Sequence, residues 1–359
     1  MLRVLITDAS TKHCLPLQRY IREALPDVEL IGHDTQFYPL CKHYGYLHRI
    51  IRHRSLEEVI GGDEFDMVIP VGGRSVATVA KIRPTLAALP SPESLECCFD
   101  KSRTMELADR LNVPRPLSEK IFSLDDLSRC QIPYPCVIKP ANETEAKGVH
   151  YANNEQERVE NVSRILTRLR TVPHRGILIQ EYVSGVGTGF FALYDRGEPK
   201  RVFMHQRIRE YPVTGGVSTA ACAYYNDTLK ELGIRILSGL KWHGVAMVEF
   251  KYSMQTDSFV LMEINPKFWG SVELALEAGV NFGADLIRVF RGERLEYSDN
   301  YNRNLRFYWP LDGDLANLFK TRRLRGIKEY FMPGAMTNLG HSRVGDFLKT
   351  LRMFQKIVT

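Results

Sequence analysis

Short apolar runs separated by polar turns set the pattern of this chain. Residues 3–7 (RVLIT) read as a buried strand, followed by a polar loop and a helix over about 15–24. Residues 28–32 and 65–71 (FDMVIPV) read as a second and a third strand, the latter running into Gly72-Gly73 and a helix through Lys81. Strand, loop and helix in repetition predict a small parallel sheet with ligand positions at its strand ends. No GxGxxG follows any of these strands, so a dinucleotide fingerprint is absent. Residues 90–92 (PSP) mark a linker. Residues 100–116 (DKSRTMELADRLNVPRP) predict a capped helix with Leu107 and Leu111 at helical spacing, ended by Asn112 and two prolines. Residues 134–140 (YPCVIKP) and 176–183 (GILIQEYV) read as strands, with a charged helix over about 155–170 between them. Residues 190–194 and 200–206 predict a hairpin.

The most informative stretch is 244–271: GVAMVEF, a short polar turn, then FVLMEINPKFWGS. Two β-type runs around a turn near Gln255 predict a hairpin with Glu249 across from residues 261–263. Residues two apart on a strand share a face, so Glu263 and Asn265 project together. Pro266 ends the strand because it donates nothing to a ladder. Two carboxylates and an amide oxygen among Val, Ala, Met, Phe, Leu and Ile suit a hard cation such as Mg²⁺; the alternative is a hairpin whose polar face meets water.

Other polar positions acquire meaning from where the elements put them. Lys101 stands in the first turn of its helix, the unfavourable end for a cation unless an anion binds nearby. Lys139 ends an apolar strand just before a proline, and Lys147-Gly148 lies in a polar loop of the kind that closes over phosphates. Arg207 and Arg209, two apart, are expected on one strand face beside the Gly215-Gly216 turn, where they suit a carboxylate or phosphate. Each of these also reads as a solvated surface charge.

Composition narrows the class. The 359 residues are 44% hydrophobic and 25% charged, an ordinary globular balance with length for two or three domains. No apolar run approaches a membrane span, and the N-terminal MLRVLITDAS reads as a strand rather than a signal peptide. Seven cysteines, without a CxxC pair, argue for free thiols in a reducing cytosol and against disulfides or structural zinc. The formal charge of +6 fits an enzyme for anionic ligands as well as a weak nucleic-acid or membrane binder. RNP-type and zinc-finger patterns are absent, so no nucleic-acid partner is expected.

The ordered series DKSRTMELADRLNVPRP, CVIKP, AKGV, LIQEYVSG, VAMVEF and MEINPKFWGS resembles the ATP-grasp superfamily of carboxylate–amine ligases, over roughly residues 3–291. The resemblance implies that Lys101 and Lys139 contact ATP phosphates and the adenine edge, and that Lys147 and Gly148 belong to a lid over the triphosphate. It implies that Glu181 and Val183 offer main-chain groups to adenine. Glu249, Glu263 and Asn265 match the Mg²⁺ ligands of the family, with Mn²⁺ as a substitute metal. The implied reaction converts a carboxylic acid to an acyl phosphate, which an amine then attacks. Many family members have an arginine after the Asn-Pro; here Lys267 stands there, so Arg207 or Arg209 is expected to supply the guanidinium. The usual ribose-binding acid after the hinge is replaced by Gly185-Val186-Gly187-Thr188-Gly189. The lid also lacks a dense glycine run.

The expected fold class is α/β, grading to α+β in the C-terminal part: an ATP-grasp fold with a Rossmann-like domain over 1–96. A small lysine-bearing subdomain over 97–175, a large metal-site subdomain over 176–295 and a basic appendage over 296–359 follow. ATP is expected between the small and large subdomains, and the acid near residues 71–74 and Arg207/Arg209. The appendage carries aromatics, the run KTRRLRGIK and an apolar periodicity over 347–354. It reads as a packing element with a cationic face, or as a surface that attracts an acidic substrate or an anionic partner, a membrane surface included. Expected partners are a small acid and an amine, with a homodimer compatible. Alternatives in function are an inactive ATP-binding regulatory module and a phosphoryl-transfer enzyme like carbamoyl-phosphate synthase.

Overall fold

The computed structural model describes residues 1–35, 45–142, 148–170, 175–213 and 215–339. Its N-terminal part runs β1 (Leu2–Ile6), α1 (Cys14–Ala24), β2 (Val28–His33), β3 (Arg49–Ile51), α2 (Leu56–Gly62), β4 (Met67–Ile69) and α3 (Gly73–Ile82). The strands form a parallel sheet in the order β3-β2-β1-β4. Helices cover both faces, which is why β1 is apolar without alternation. Val4 and Ile6 face one core while Leu5 faces another.

Strand β3 and helix α2 were not anticipated. The signal for α2 was local: Ser55 and Glu58 make a reciprocal capping box at its start. The expected strand over 65–71 forms a regular ladder across 67–69, and Val71 N–H donates instead to Thr7 Oγ1 at 3.0 Å. The expected linker at 90–92 is shorter than predicted. Pro92 opens helix α4 (Pro92–Phe99), with Ser91 accepting from Ser94 N–H. Helix α5 (Lys101–Arg110) follows directly, capped by Asp100.

A second sheet holds β5 (Ser118–Ile121), β6 (Cys136–Pro140), β7 (His150–Ala152) and, after α6 (Glu155–Leu169), β8 (Ile177–Glu181). Its order is β5-β8-β6-β7. The strand over 177–181, assigned by the expected boundary at 176 to the large subdomain, therefore pairs with the lysine-bearing strand β6. Sheet membership changes after Glu181.

The third sheet has seven strands: β9 (Val186–Asp195), β10 (Glu198–Tyr211), β11 (Val217–Ala223), β12 (Gly244–Ser253), β13 (Ser258–Asn265), β14 (Arg306–Tyr308) and β15 (Ala335–Thr337). The remaining α-helices of the described residues are α7 (Asp227–Gly239), α8 (Val272–Glu277), α9 (Phe282–Phe290) and α10 (Asp314–Lys320). The order is β13-β12-β9-β10-β11-β14-β15. One face (Phe191, Leu193, Phe203, Val245) shares a core with Leu17 and Ile21 of α1. The other (Phe190, Ala192, Met204, Val248) packs with Leu107 of α5 and Leu229 and Ile236 of α7. Part of the expected appendage thus extends the large sheet, as β14 and β15. The periodic run at 347–354 lies outside the described residues. Among the described residues no helix is long and apolar enough to cross a membrane.

Candidate functional site

The site is built on the β12–β13 hairpin. Glu249 stands opposite Glu263, and Met247 opposite Asn265. The register slips by one residue beside them: Phe250 pairs with Leu261, so Met262 is a bulge. Without it, Leu261 and Glu263 would share a face. With it, Leu261 turns into the core with Phe250, while Glu263 lies with Glu249 on the opposite side. Asn265 Nδ2 donates to Glu263 Oε1 at 2.7 Å.

Burial works against the charge of both carboxylates, and their surroundings split them. Burial and then the neighbouring Glu263 and Glu210 push the Glu249 carboxyl up, against the Arg207 guanidinium that donates to it. Burial also opposes ionisation of Glu263. Lys101, the Asn265 amide, Lys139 and Lys267 outweigh it and hold that carboxyl below the usual range. One acid is held charged by cations, and in the other burial prevails over Arg207, the largest of the influences that favour its charge.

Three lysines approach this pair from three elements. Lys139, in β6, is 8% exposed. Burial, with Lys101 and Lys251 beside it, brings its ammonium down to about 8, while Glu263 and Glu249 resist. Lys101 is fixed by its main chain, its N–H donating to Ala141 C=O at 2.9 Å. Lys101, Glu263, Asn265 and Lys267 line one narrow cleft with Gly73, the first residue of α3. Lys147 lies outside the described residues. Gly148, just after it, has φ 98°, a left-handed conformation that favours glycine.

The hinge is held through its main chain. Glu181 N–H donates to Leu117 C=O at 3.0 Å and Tyr182 N–H to Pro135 C=O at 3.1 Å. The Val183 carbonyl accepts from Lys251 Nζ at 2.9 Å. Beside it opens a cavity of about 700 Å³ between the second and third sheets, lined by Tyr151, Tyr182, Gly187, Arg207, Glu249 and Lys251 among others. Lys251 was not anticipated, although it lies two residues from Glu249 and thus on its face of β12.

The two arginines do not share a face, which corrects the expectation from simple alternation. Arg207 pairs with Ala221 and Arg209 with the adjacent Ala220, so Ile208 is a bulge and the two side chains diverge. Arg207 donates to Glu249, to Glu210 Oε2 at 3.2 Å and to Gly216 C=O at 3.3 Å. Arg209 lies on the reverse face, where Asp314 takes two of its N–H groups at 2.8 Å each and Glu329 takes a third at 2.8 Å.

The glycines that replace the ribose acid also have a local cause. A Cβ on Gly187 would lie 2.7 Å from Arg207 Cδ, and one on Gly189 would lie 2.4 Å from the Phe191 ring. The space an acid would need there is filled by those two side chains.

Two carboxylates and an amide oxygen form an all-oxygen set that suits Mg²⁺, which keeps waters and substrate oxygens in its shell. Among the described residues no three His, Cys, Asp or Glu side chains gather as a metal cage. The set therefore fits a metal that arrives with a phosphate ligand better than a closed structural site.

Comparison with solved structures identifies the architecture. An L-amino acid ligase from Bacillus licheniformis superposes with a TM-score of 0.63 at 16% identity, covering 81% of this chain and 74% of that one. The chain has the ATP-grasp fold. The biotin carboxylase domain dimer of Hydrogenobacter thermophilus 2-oxoglutarate carboxylase, solved with MgADP and bicarbonate, superposes with a TM-score of 0.69 at 15% identity. That match covers 83% of this chain and 71% of the other. In sequence, the chain is 22% identical over 243 residues to the carbamoyl phosphate synthase large chain of Archaeoglobus fulgidus. The aligned part covers 64% of this chain and spans only 22% of that relative. No family model matches the chain.

Proposed function

We propose that this protein is an ATP- and Mg²⁺-dependent ligase that activates a carboxylic acid as an acyl phosphate and couples it to an amine, releasing ADP and phosphate. The observation that carries this reading is the meeting of Glu249, Glu263 and Asn265 with Lys101, Lys139 and Lys267, in a fold whose solved relatives include an amino acid ligase and a MgADP-bound carboxylase. Glu249, Glu263 and Asn265 would hold the metal, with Mn²⁺ able to substitute. When bound, it would neutralise the phosphate oxygens and draw electron density from the transferred phosphoryl group.

The chain's own residues supply the rest. Lys101 and Lys139 meet the phosphates as cations, with Lys147 and Gly148 closing over them. The main chain at Glu181 and Val183 faces adenine, Lys251 holding the Val183 carbonyl. Lys267, with Arg207 behind Glu249, balances charge as a carboxylate oxygen attacks the γ-phosphorus and ADP departs. The amine nitrogen then attacks the acyl carbon, and phosphate leaves. Arg209 takes no part in these contacts, because its guanidinium belongs to the reverse face. ATP lies between the second and third sheets, and the acid near Gly73 and Lys267. The functional units are residues 1–96, 97–175, 176–295 and 296–359, with the hinge strand 177–181 joining the middle two.

The sequence match to a carbamoyl phosphate synthase favours a second reading, phosphoryl transfer that leaves a phosphate on the product. Release of ADP and of inorganic phosphate from ATP and Mg²⁺, measured across pooled organic acids, amino acids and amines, separates the two, since the ligase frees one phosphate with each ADP. The ligase requires both an acid and an amine. Glu263→Gln is expected to abolish acid-stimulated ADP release by a protein whose circular dichroism is unchanged. Undiminished release in that variant would sink the metal assignment.

A further inference from the structure

We infer a second anion-binding site on the reverse face of β10, one that takes a ligand with several phosphate charges. A cavity of about 970 Å³ opens there, lined by Arg209, Lys320, Arg322, Arg323, Arg325 and Glu329 among others. Glu329, the carboxylate of its wall, shares Arg209 with Asp314, so these three side chains together carry one net negative charge. Lys320, Arg322, Arg323 and Arg325 form no ion pair among the described residues, whereas Arg201, Arg288, Arg291 and Arg294 of the same chain each have a carboxylate partner. Four cations therefore face one cavity whose wall supplies a single net negative charge, leaving an excess of positive charge.

The segment that carries them is built rather than loose. Arg322 N–H donates to Phe319 C=O at 3.1 Å, Arg323 N–H to Leu318 C=O at 2.8 Å, and Gly326 N–H to Arg323 C=O at 2.8 Å. Arg322 holds φ 56°, a left-handed conformation that non-glycine residues adopt where surroundings over-determine it. A Cβ on Gly326 would lie 2.6 Å from Leu318 Cδ2, so the turn lies close against α10. Three guanidinium forks on a fixed turn suit phosphate oxygens, which they can bind in bidentate fashion. Leu324, 52% exposed, and Phe319, 37% exposed, add apolar wall for the body of such a ligand. The volume falls in the range of small-molecule pockets.

The site does not depend on the ligase reading. Its anion comes either from a soluble phosphorylated compound or from a lipid headgroup, and the two are separable. Inorganic tripolyphosphate is titrated calorimetrically, without metal, into the wild-type protein, into Arg322→Gln/Arg323→Gln/Arg325→Gln and into Lys101→Met/Lys139→Met. Saturable binding is expected in the wild type. It should weaken about tenfold or more in the arginine variant, which loses three charge-assisted contacts, and persist in the lysine variant. Equal binding by the arginine variant and the wild type, or no binding by the wild type, overturns the site. A second arm uses phosphatidylcholine vesicles doped with phosphatidic acid. Sedimentation with them that the arginine variant loses, alongside tripolyphosphate binding, assigns the phosphate to a lipid. Vesicle binding that survives in the arginine variant counts against the cavity.

Discussion

Glu273 tests whether the segment after Asn-Pro is bound into the core as tightly as the structure indicates. It stands in the first turn of α8 and is 5% exposed. Burial raises its carboxyl from 4.5 to about 7, with Glu277 pushing the same way. The Trp309 Nε1–H that donates to Glu273 Oε2 at 3.2 Å, Arg19 and Lys12 offset part of that rise. In the unfolded chain the group returns to its ordinary range. Between about pH 4.5 and 7 the folded chain therefore keeps a proton that the unfolded chain has released. Stability from this group is complete below that window and is lost as pH rises through it. A rise from 4.5 to about 7 corresponds to roughly 3 kcal/mol. Glu273→Gln keeps an oxygen for Trp309 and removes the titration. Urea unfolding followed by tryptophan fluorescence at about pH 5 and about pH 8 reads the difference. The variant should gain roughly 2–3 kcal/mol on the wild type between those conditions. A gap that stays constant, or closes, would refute the burial of this acid as the source of the effect.

Lys139, brought down to about 8, should lose its ammonium as pH rises through that value. ATP-dependent turnover is expected to fall on that limb, and Lys139→Arg to move the fall to higher pH; identical alkaline limbs in the two proteins would remove Lys139 from phosphate binding. Arg209→Ala strips a guanidinium from Asp314, whose side chain is fully buried. Thr219 Oγ1 and Tyr330 O–H would be left to hold it. Losing one partner of such a pair should cost about 3–5 kcal/mol in urea unfolding. A loss below about 1 kcal/mol would mean that the pair is not sequestered from water.

How much of this was legible follows from how local each signal is. The β12–β13 hairpin and its facing pair Glu249 and Glu263 could be read because a strand's period and a polar turn fix which side chains stand opposite one another. Lys101 could be read because a capped helix start is a four-residue signal, and Lys139 because a proline marks the strand end. Which sheet a strand joins is not written locally. The run ILIQE would satisfy either neighbour, and pairing with β6 is decided by the fold as a whole. The short strands β3, β14 and β15, three residues each, fall below any periodic signal.

The bulges are the more instructive loss, because they invert a rule rather than blur it. One extra residue in a strand moves every later side chain to the other face. At Met262 the slip lets Leu261 fill the core while Glu263 reaches Glu249. At Ile208 it sends Arg207 toward Glu249 and Arg209 toward Asp314 and Glu329. The trace of that slip in the structure is Ile208 itself, an apolar side chain left 37% exposed between two arginines. A regular strand would have buried it and put both guanidinium groups at one site. The bulge instead lets β10 serve two: the candidate metal pair on one face, and on the other the wall of the cationic cavity. Glu210 joins the two sides, since its carboxylate accepts from Arg207 and its carbonyl from Asn317 Nδ2 of α10 at 2.7 Å. Helix α10 therefore stands two hydrogen bonds from Arg207, across a strand whose register separates the two charges.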